Sequence, residues 1–502
     1  MDRLLTNLVA GVWLIVALLG NTSTTHAAQD KQQPNVIVFL ADDQGFGDYG
    51  FQGNPDLETP HLDSMARNGA LFETFLVCPV CSPTRAEFLT GRYSARSGVV
   101  STSAGGERMA LGEQTVAELF RESGYATAAF GKWHNGMQYP YHPLGRGFDE
   151  FYGFCSGHWG NYFSPILEHN GQLVRGEGFV VDDFTSKAIS FIEQHQDQPF
   201  FVYLPYNTPH SPMQVPDAYW ERFEEKEITL RSSKPERENL FHTRAALAMC
   251  ENIDWNVGRV LTTLDDLNIA EETIVLYFSD NGPNGLRFNG GLKGRKGSTD
   301  EGGVRSPLLM QWNGTIEPGT RVQQLAGAID LLPTLVDLCQ LEVEPRNPLD
   351  GISLKPFVLD EAAPLVDREI VTFWKGRASL RNQDFRLDND GNLFHLAEDP
   401  GQTTVVSENF PEVHERLTDL LNIARAQMDP RGLDIPEEPF PVGHSDFAFT
   451  QLPARDAQVT GAIRRSNRFP NCSYFGVCSV ASVFVMCHLL FALSVGYRIE
   501  VG

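Results

Sequence analysis

Residues 35–40, 126–130, 200–204 and 273–278 are short, near-continuous apolar runs bounded by turn residues. They are too short for helices and do not alternate, which predicts strands of a parallel sheet covered on both faces. Helical periodicity fills the intervals. Residues 60–68 place Leu62, Met65 and Ala66 on one side, and residues 115–123 place Val116, Leu119 and Phe120 together, with Gly124 as a stop. Residues 183–194 and 238–267 are longer and amphipathic, and residues 330–338 form a helix that ends the large domain. Beyond them, residues 368–396 read as short antiparallel strands turning at Asn389, Asp390 and Gly391, and residues 411–428 as a closing helix. The fold class is α/β: a large, mostly parallel sheet flanked by helices, with a smaller C-terminal α+β subdomain.

Each apolar run ends in polar residues. The first leads into Asp42 and Asp43, the second into Gly131-Lys132-Trp133-His134, the third into Asn207 and His210, and the fourth into Asp280 and Asn281. In open α/β sheets, ligands bind beyond the carboxyl ends of the strands, so side chains distant in sequence are expected to share one site. Asp42, Asp43, Asp280 and Asn281 are an all-oxygen set, suited to a hard divalent cation such as calcium, with magnesium as the alternative; zinc prefers nitrogen and sulfur. Burying three carboxylates together would be costly without such an ion.

The chain has 502 residues, 42% hydrophobic and 21% charged, enough for one large domain and a smaller one. Its formal net charge of −24 argues against a nucleic-acid partner. Against that background the glycine-rich segment 292–305, with Lys293, Arg295, Lys296 and Arg305, is a candidate anion site. Residues 1–28 read as a signal peptide, which predicts a secreted or periplasmic protein. The expected divisions are a catalytic domain over 34–345, the subdomain over 346–429, a Pro-rich linker over 430–474 and an apolar tail over 475–497. The tail is long enough to span a bilayer. The preceding Arg464, Arg465 and Arg468 favour a cytoplasmic flank, opposite to what an exported domain needs, so an appendage is expected rather than a membrane anchor.

The most unusual chemistry lies at CPVCSPTR, residues 78–85. Cys81, Pro83 and Arg85 alternate just where a short helix begins, with Gly91 placed to end it. Pro suits a first helical turn and Ser82 is positioned to cap it. A thiol at a helix N-terminus beside Arg85 marks a place for an anion. Taken alone, the two cysteines also fit a redox dithiol or half of a zinc site.

This segment resembles the C-x-P-x-R signature of the type I, formylglycine-dependent sulfatases of the alkaline phosphatase-like superfamily. The resemblance extends to Asp42-Asp43, Gly131 to His134, Pro209 to Pro212, Asp280-Asn281, and Lys296 through Gly303, over roughly residues 34–425. Asn135 stands where Leu is commoner, and Lys293 has no family counterpart. The resemblance implies hydrolysis of sulfate monoesters. Cys81 would be converted to formylglycine by a formylglycine-generating or maturase enzyme, and its hydrate would attack sulfur. Position 81 would join Asp42, Asp43, Asp280 and Asn281 at the cation. Arg85 would flank the nucleophile, Lys132 and Lys296 would hold sulfate oxygens, His134 would assist collapse of the hydrate and His210 would act on the leaving oxygen.

The substrate expected is a sulfated glycan or small molecule. His158, Trp159, Asn161 and Tyr162 form a polar-aromatic loop that could face a sugar. The competing readings are a phosphoester or phosphonate hydrolase of the same superfamily and an inactive sulfated-glycan binder.

Overall fold

The computed structural model describes residues 33–360, 362–428 and 440–451, together with the backbone of two paired strands, Ile463–Arg465 and Phe475–Val477. The signal-peptide segment and most of the 475–497 tail lie outside the described residues. Among the described residues no helix is long and apolar enough to cross a membrane.

An eleven-stranded sheet forms the centre. Its strands are β1 (Asn35–Asp42), β2 (Ala70–Leu76), β3 (Ala126–Lys132), β4 (Glu150–Phe154), β5 (Ile166–His169), β6 (Gln172–Arg175), β7 (Phe200–Pro209), β8 (Thr273–Ser279), β9 (Arg305–Gln311), β10 (Thr320–Val322) and β11 (Ala326–Gly327). The order is β10-β2-β9-β8-β1-β7-β3-β4-β5-β6, with β11 also on β2. The block β8-β1-β7-β3-β4 is parallel. The flanks are mixed: β9 runs antiparallel to β8 and β2, and β5 and β6 form an antiparallel hairpin beyond β4.

All four predicted strands belong to the parallel block and start at the expected residues. All eight residues of β1 are buried because both faces are covered. Val36, Val38 and Leu40 face a cluster containing α2 (Cys81–Thr90), α3 (Val116–Glu122) and α6 (Leu331–Leu338). Ile37, Phe39 and Ala41 face the opposite cluster, with α1 (Pro60–Asn68), α4 (Val180–His195) and α5 (Leu240–Asp266). The result is helix–sheet–helix layering. Helix α3 is closed by the reciprocal capping box of Thr115 and Glu118. Helix α1 is instead capped from outside, by Asp254 of α5, whose carboxylate accepts from the backbone nitrogens of His61 (3.2 Å) and Leu62 (2.8 Å).

The C-terminal subdomain is a four-stranded antiparallel sheet, β12 (Ile370–Trp374), β13 (Arg377–Arg381), β14 (Phe385–Leu387) and β15 (Leu393–His395), packed on α7 (Pro411–Met428). Residues 440–451, expected within a linker, lie against the main sheet. Ala448 donates to the carbonyl of Gly171 (2.9 Å), Gln138 donates to that of Gln451 (2.6 Å), and Phe447 meets the His142 ring edge-on at 4.9 Å.

Candidate active site

The carboxyl ends of β1, β3, β7 and β8 meet at one crevice, as parallel registration requires: Ala41 pairs with Ser279, and Asp42 with Pro209. Asp42 closes β1 and Asp43 follows in a left-handed conformation, φ 71°. That strain is held in place by Arg287, which donates to the Asp43 carbonyl (2.7 Å) while forming a buried ion pair with Asp48 (2.6 Å). Lys132 ends β3. His134, at φ 67°, follows two residues later. His210 follows β7 directly, and Asp280 and Asn281 follow β8.

Cys81 is the first residue of α2, a fully buried helix that aims its N-terminus into the crevice. Gly91 ends it in the left-handed conformation, φ 67°, donating to the Glu87 carbonyl. The expected cap is absent. The N-cap position is Val80 without a side-chain cap, and the Ser82 hydroxyl donates to the His134 carbonyl (2.8 Å), tying the nucleophile helix to the β3 loop. The two motif cysteines part company. Cys78 is buried against Glu87 and Ser94, whereas Cys81 lies with Asp42 and Asp280, their donor atoms all within 4.8 Å of one another. Burial pushes the Cys81 thiol above its usual value despite nearby Lys132 and Lys296. Burial thus disfavours the thiolate at position 81.

The charged groups interlock. Arg85, fully buried, donates to Asp280 Oδ2 (2.8 Å) and to the Lys132 carbonyl (2.7 Å), and lies 3.8 Å from Asp42 Oδ2. Lys132 Nζ is 2.5 Å from Asp42 Oδ2, and Lys296 Nζ is 2.6 Å from Asp43 Oδ1. Asn281 donates to Asp43 Oδ1 (2.8 Å), and His210 Nε2 stands 3.7 Å from Asp43 Oδ2. The lysines thus neutralise carboxylates in addition to facing the crevice.

Burial opposes ionisation of Asp42. Lys132, His210, Arg85 and Lys296 outweigh it and hold the carboxyl well below the usual range. For Asp280, burial and the Asp42 charge win over Arg85 and push the carboxyl up to about 7. Burial, then Lys296, brings His210 down to about 4, and burial with Lys132 keeps His134 neutral. His134 Nε2 lies 3.0 Å from the Thr102 carbonyl, so it carries the ring proton, and buried Nδ1 is left as an unpartnered acceptor.

Within the set of Asp42, Asp43, Asp280 and Asn281, three buried oxygens lack a hydrogen-bond partner: Asp42 Oδ1, Asp43 Oδ2 and Asn281 Oδ1. Orphaned oxygens on neighbouring residues fit a hard divalent cation, with position 81 and His210 bringing the sulfur and the nitrogen that lie within 4.8 Å of the carboxylates. With Arg85, Lys132 and Lys296 balancing Asp42, Asp43 and Asp280, a divalent ion would leave the crevice positive, as an anionic ester requires.

Among the described residues a separate cluster with metal-type donors, His142, Cys155 and Glu168, is different. His142 Nδ1 accepts from Leu144, so the proton sits on Nε2, 2.8 Å from Glu168. That nitrogen has no lone pair for a metal.

Asp42, Asp43, Cys81, Arg85, Lys132, His134, His210, Asp280, Asn281 and Lys296 gather here; of the other cations of the basic loop, Lys293 pairs with Asp300 and Arg305 with Glu301 instead, and Arg295 is exposed. The expected sugar-facing loop is mostly packing. Trp159 stacks on Phe154 (5.1 Å), buried Tyr162 places its hydroxyl 3.0 Å from the His210 carbonyl, and Asn161 bonds locally to Phe163. Only His158 approaches the site, its ring 5.6 Å from that of His210, with buried Nδ1 unpartnered. Arg287 and Thr84, which donates to the Asp280 carbonyl (2.6 Å), were not anticipated, because no local pattern marks a residue whose partner lies far along the chain.

A crevice with an oxygen cation site, two histidines, the buried Arg85 and Lys132 and the partly buried Lys296, at the end of a parallel sheet, defines a metal-assisted hydrolase of an anionic ester. The family model described as Sulfatase matches residues 34–341. N-acetylgalactosamine-6-sulfatase of Canis lupus familiaris is 33% identical, over 71% of this chain and 72% of the relative. Human arylsulfatase A is 33% identical, over 65% and 68%. A crystal structure of Ps i-CgsB in complex with k-i-k-neocarrahexaose is similar with a TM-score of 0.71 and 29% identity, covering 81% of this chain and 96% of that one. The chain belongs to the sulfatase family and is a sulfuric ester hydrolase.

Proposed function

We propose that the chain hydrolyses sulfate esters of a carbohydrate, using an oxidised Cys81 and a calcium ion. The observation that carries this reading is the placement of Cys81, at a helix N-terminus with its sulfur among the oxygens of Asp42 and Asp280 and beside the cations. A thiol would form a covalent product with no easy exit. Oxidised to an aldehyde and hydrated, position 81 presents two hydroxyls. One oxygen would bond to sulfur as the bond from sulfur to the alcohol oxygen breaks, its proton passing to the departing oxygen; His210, whose Nδ1 faces the Ser211 carbonyl (2.6 Å), turns an unprotonated Nε2 to the site that can relay it. The second hydroxyl then loses its proton, for which His134 Nδ1 offers a free lone pair. Sulfate leaves, the aldehyde re-forms and water rehydrates it.

Asp42, Asp43, Asp280 and Asn281 would hold the cation, which supplies Lewis acidity toward the nucleophile and the ester. Lys132, Lys296 and Arg85 provide fixed positive charge where negative charge develops. The carbohydrate assignment draws support from the N-acetylgalactosamine-6-sulfatase relatives and the neocarrahexaose complex. Oxidation of Cys81 requires a separate maturing enzyme, and the N-terminal apolar run fits an exported product.

Two measurements test the reading. Mass spectrometry of the peptide containing position 81 should find it lighter by about 18 Da than the thiol form, sulfur and two hydrogens having been exchanged for oxygen. The oxidised protein should turn over an aryl sulfate well ahead of the matching aryl phosphate or phosphonate. An unmodified thiol in active protein would refute the mechanism, and a preference for the phosphorus ester would refute the substrate class.

A further inference from the structure

The glycine-rich loop that delivers Lys296 is held from two sides. On its inner side it joins the catalytic elements. Gly297 donates to the carbonyl of Pro79, just before the nucleophile helix (2.7 Å), Lys296 donates to that of Pro283 (3.2 Å), and Gly282 donates to that of Gly303 (3.0 Å). That approach is close. A Cβ on Gly303 would stand 2.1 Å from the Ser298 carbonyl oxygen, and one on Gly282 would stand 2.1 Å from that of Gly302.

On its outer side the loop meets the C-terminal sheet. Arg377 of β13 donates to the Gly297 carbonyl (2.8 Å) and Ser379 to the Thr299 carbonyl (2.7 Å). Arg386 of β14 donates to the same Thr299 carbonyl (2.8 Å) and forms an ion pair with Glu301 (2.9 Å), both side chains being fully buried. Gln402 accepts from the Glu301 nitrogen (2.8 Å). Lys293, which has no counterpart in the family motif, lies 3.3 Å from Asp300 and 3.7 Å from Asp388 and covers the Phe394 ring.

A buried ion pair gains little net stability over apolar packing, whereas it fixes geometry. Lysine has many rotamers to lose, and Gly294 and Gly297 both take positive φ, so this loop would not hold its shape unaided. We infer that the C-terminal sheet is a positioning clamp for Lys296, with Arg377, Ser379 and Arg386 setting the loop that aims this lysine at the sulfate. The inference rests on the role proposed above for Lys296. Arg386, with Arg381 and Arg305, keeps Glu301 ionised against its burial, so the clamp remains charged across the working range.

The test is a double-mutant cycle in the full chain, with para-nitrophenyl sulfate as substrate and inorganic sulfate as inhibitor. Arg377→Ala with Ser379→Ala removes two loop contacts and the bond that Arg386 donates to Ser379 (2.8 Å), leaving Arg386 its Thr299 and Glu301 partners. It should lower kcat/KM and weaken sulfate inhibition by about tenfold each, with the melting temperature nearly unchanged. In a Lys296→Ala background the same pair should change either constant less than about twofold. Arg386→Lys, which keeps the charge but loses the fork, should follow the same pattern. A loss of similar size in both backgrounds, or none in either, would overturn the clamp while leaving Lys296 its role. If Lys296→Ala itself altered neither constant, both the role of Lys296 and the clamp would fall.

Discussion

Arg85→Lys tests how much of the site depends on shape and how much on charge. The guanidinium spans two partners, Asp280 Oδ2 at 2.8 Å and the Lys132 carbonyl at 2.7 Å, and is fully buried. A lysine keeps the positive charge but has a single nitrogen where Arg85 uses two, so it cannot hold both contacts at these distances and directions. Losing one hydrogen bond involving a charged group costs about 1.5–3 kcal/mol. At about 1.4 kcal/mol per tenfold in rate, kcat/KM should fall by about ten- to one-hundred-and-forty-fold. Arg85→Ala should be worse, and should also lower stability by about 3–5 kcal/mol, because Asp280 and Asp42 would stay buried with a cation missing. The assay is steady-state turnover of an aryl sulfate at saturating calcium. Rates are divided by the fraction of protein carrying the aldehyde, because Arg85 also belongs to the signature that a maturing enzyme would read. A normalised kcat/KM for Arg85→Lys within about threefold of wild type would refute the argument that the fork organises the site.

Cys81→Ala should abolish turnover with the circular dichroism spectrum retained, whereas Cys78→Ala, whose thiol faces Glu87, should keep near-wild-type kcat; the reverse pattern would restore a role for the dithiol. Chelation should remove activity and lower the melting temperature, and calcium or magnesium should restore both; restoration by zinc alone would overturn the oxygen-donor reading. Asp254, the external cap of α1, is raised by burial to about 7 in the folded chain, so the folded state holds its proton more tightly than the unfolded state. Its contribution is complete at acid pH and is lost as pH rises toward about 7. The melting temperature of Asp254→Asn relative to wild type should therefore climb between about pH 4 and about pH 7 and level off above, and a difference that stays flat throughout would contradict the assignment.

The parallel core was legible because β1, β3, β7 and β8 are covered on both faces and so read as unbroken apolar runs. Strand β2 was not, because Glu73 interrupts it at an exposed position, and β9 carries Pro307 within its length. The site was legible wherever a strand end placed its residue: Asp42, Lys132, His210 and Asp280 each terminate or follow a strand. What the sequence did not reveal were partners chosen across the chain. Ser82 has every attribute of a helix cap, yet its hydroxyl bonds the His134 carbonyl. Glu301 and Arg386 give no local sign that they form an ion pair, and Trp159 and Tyr162 look like sugar platforms until Phe154 and the carbonyls after β7 account for them.

The burial of position 81 also orders events in time. In the folded chain Cys81 is 3% exposed, at the base of a crevice whose walls come from segments as far apart as residues 42 and 296. A second enzyme cannot bring its own catalytic groups to a sulfur so placed. In the proposed chemistry, conversion of the thiol must therefore precede closure of the sheet, while Lys296 and the strand that carries Asp280 are still unsynthesised or undocked. Chains that fold first are committed to inactivity, and adding the maturing enzyme to finished protein should recover nothing unless the chain is first unfolded.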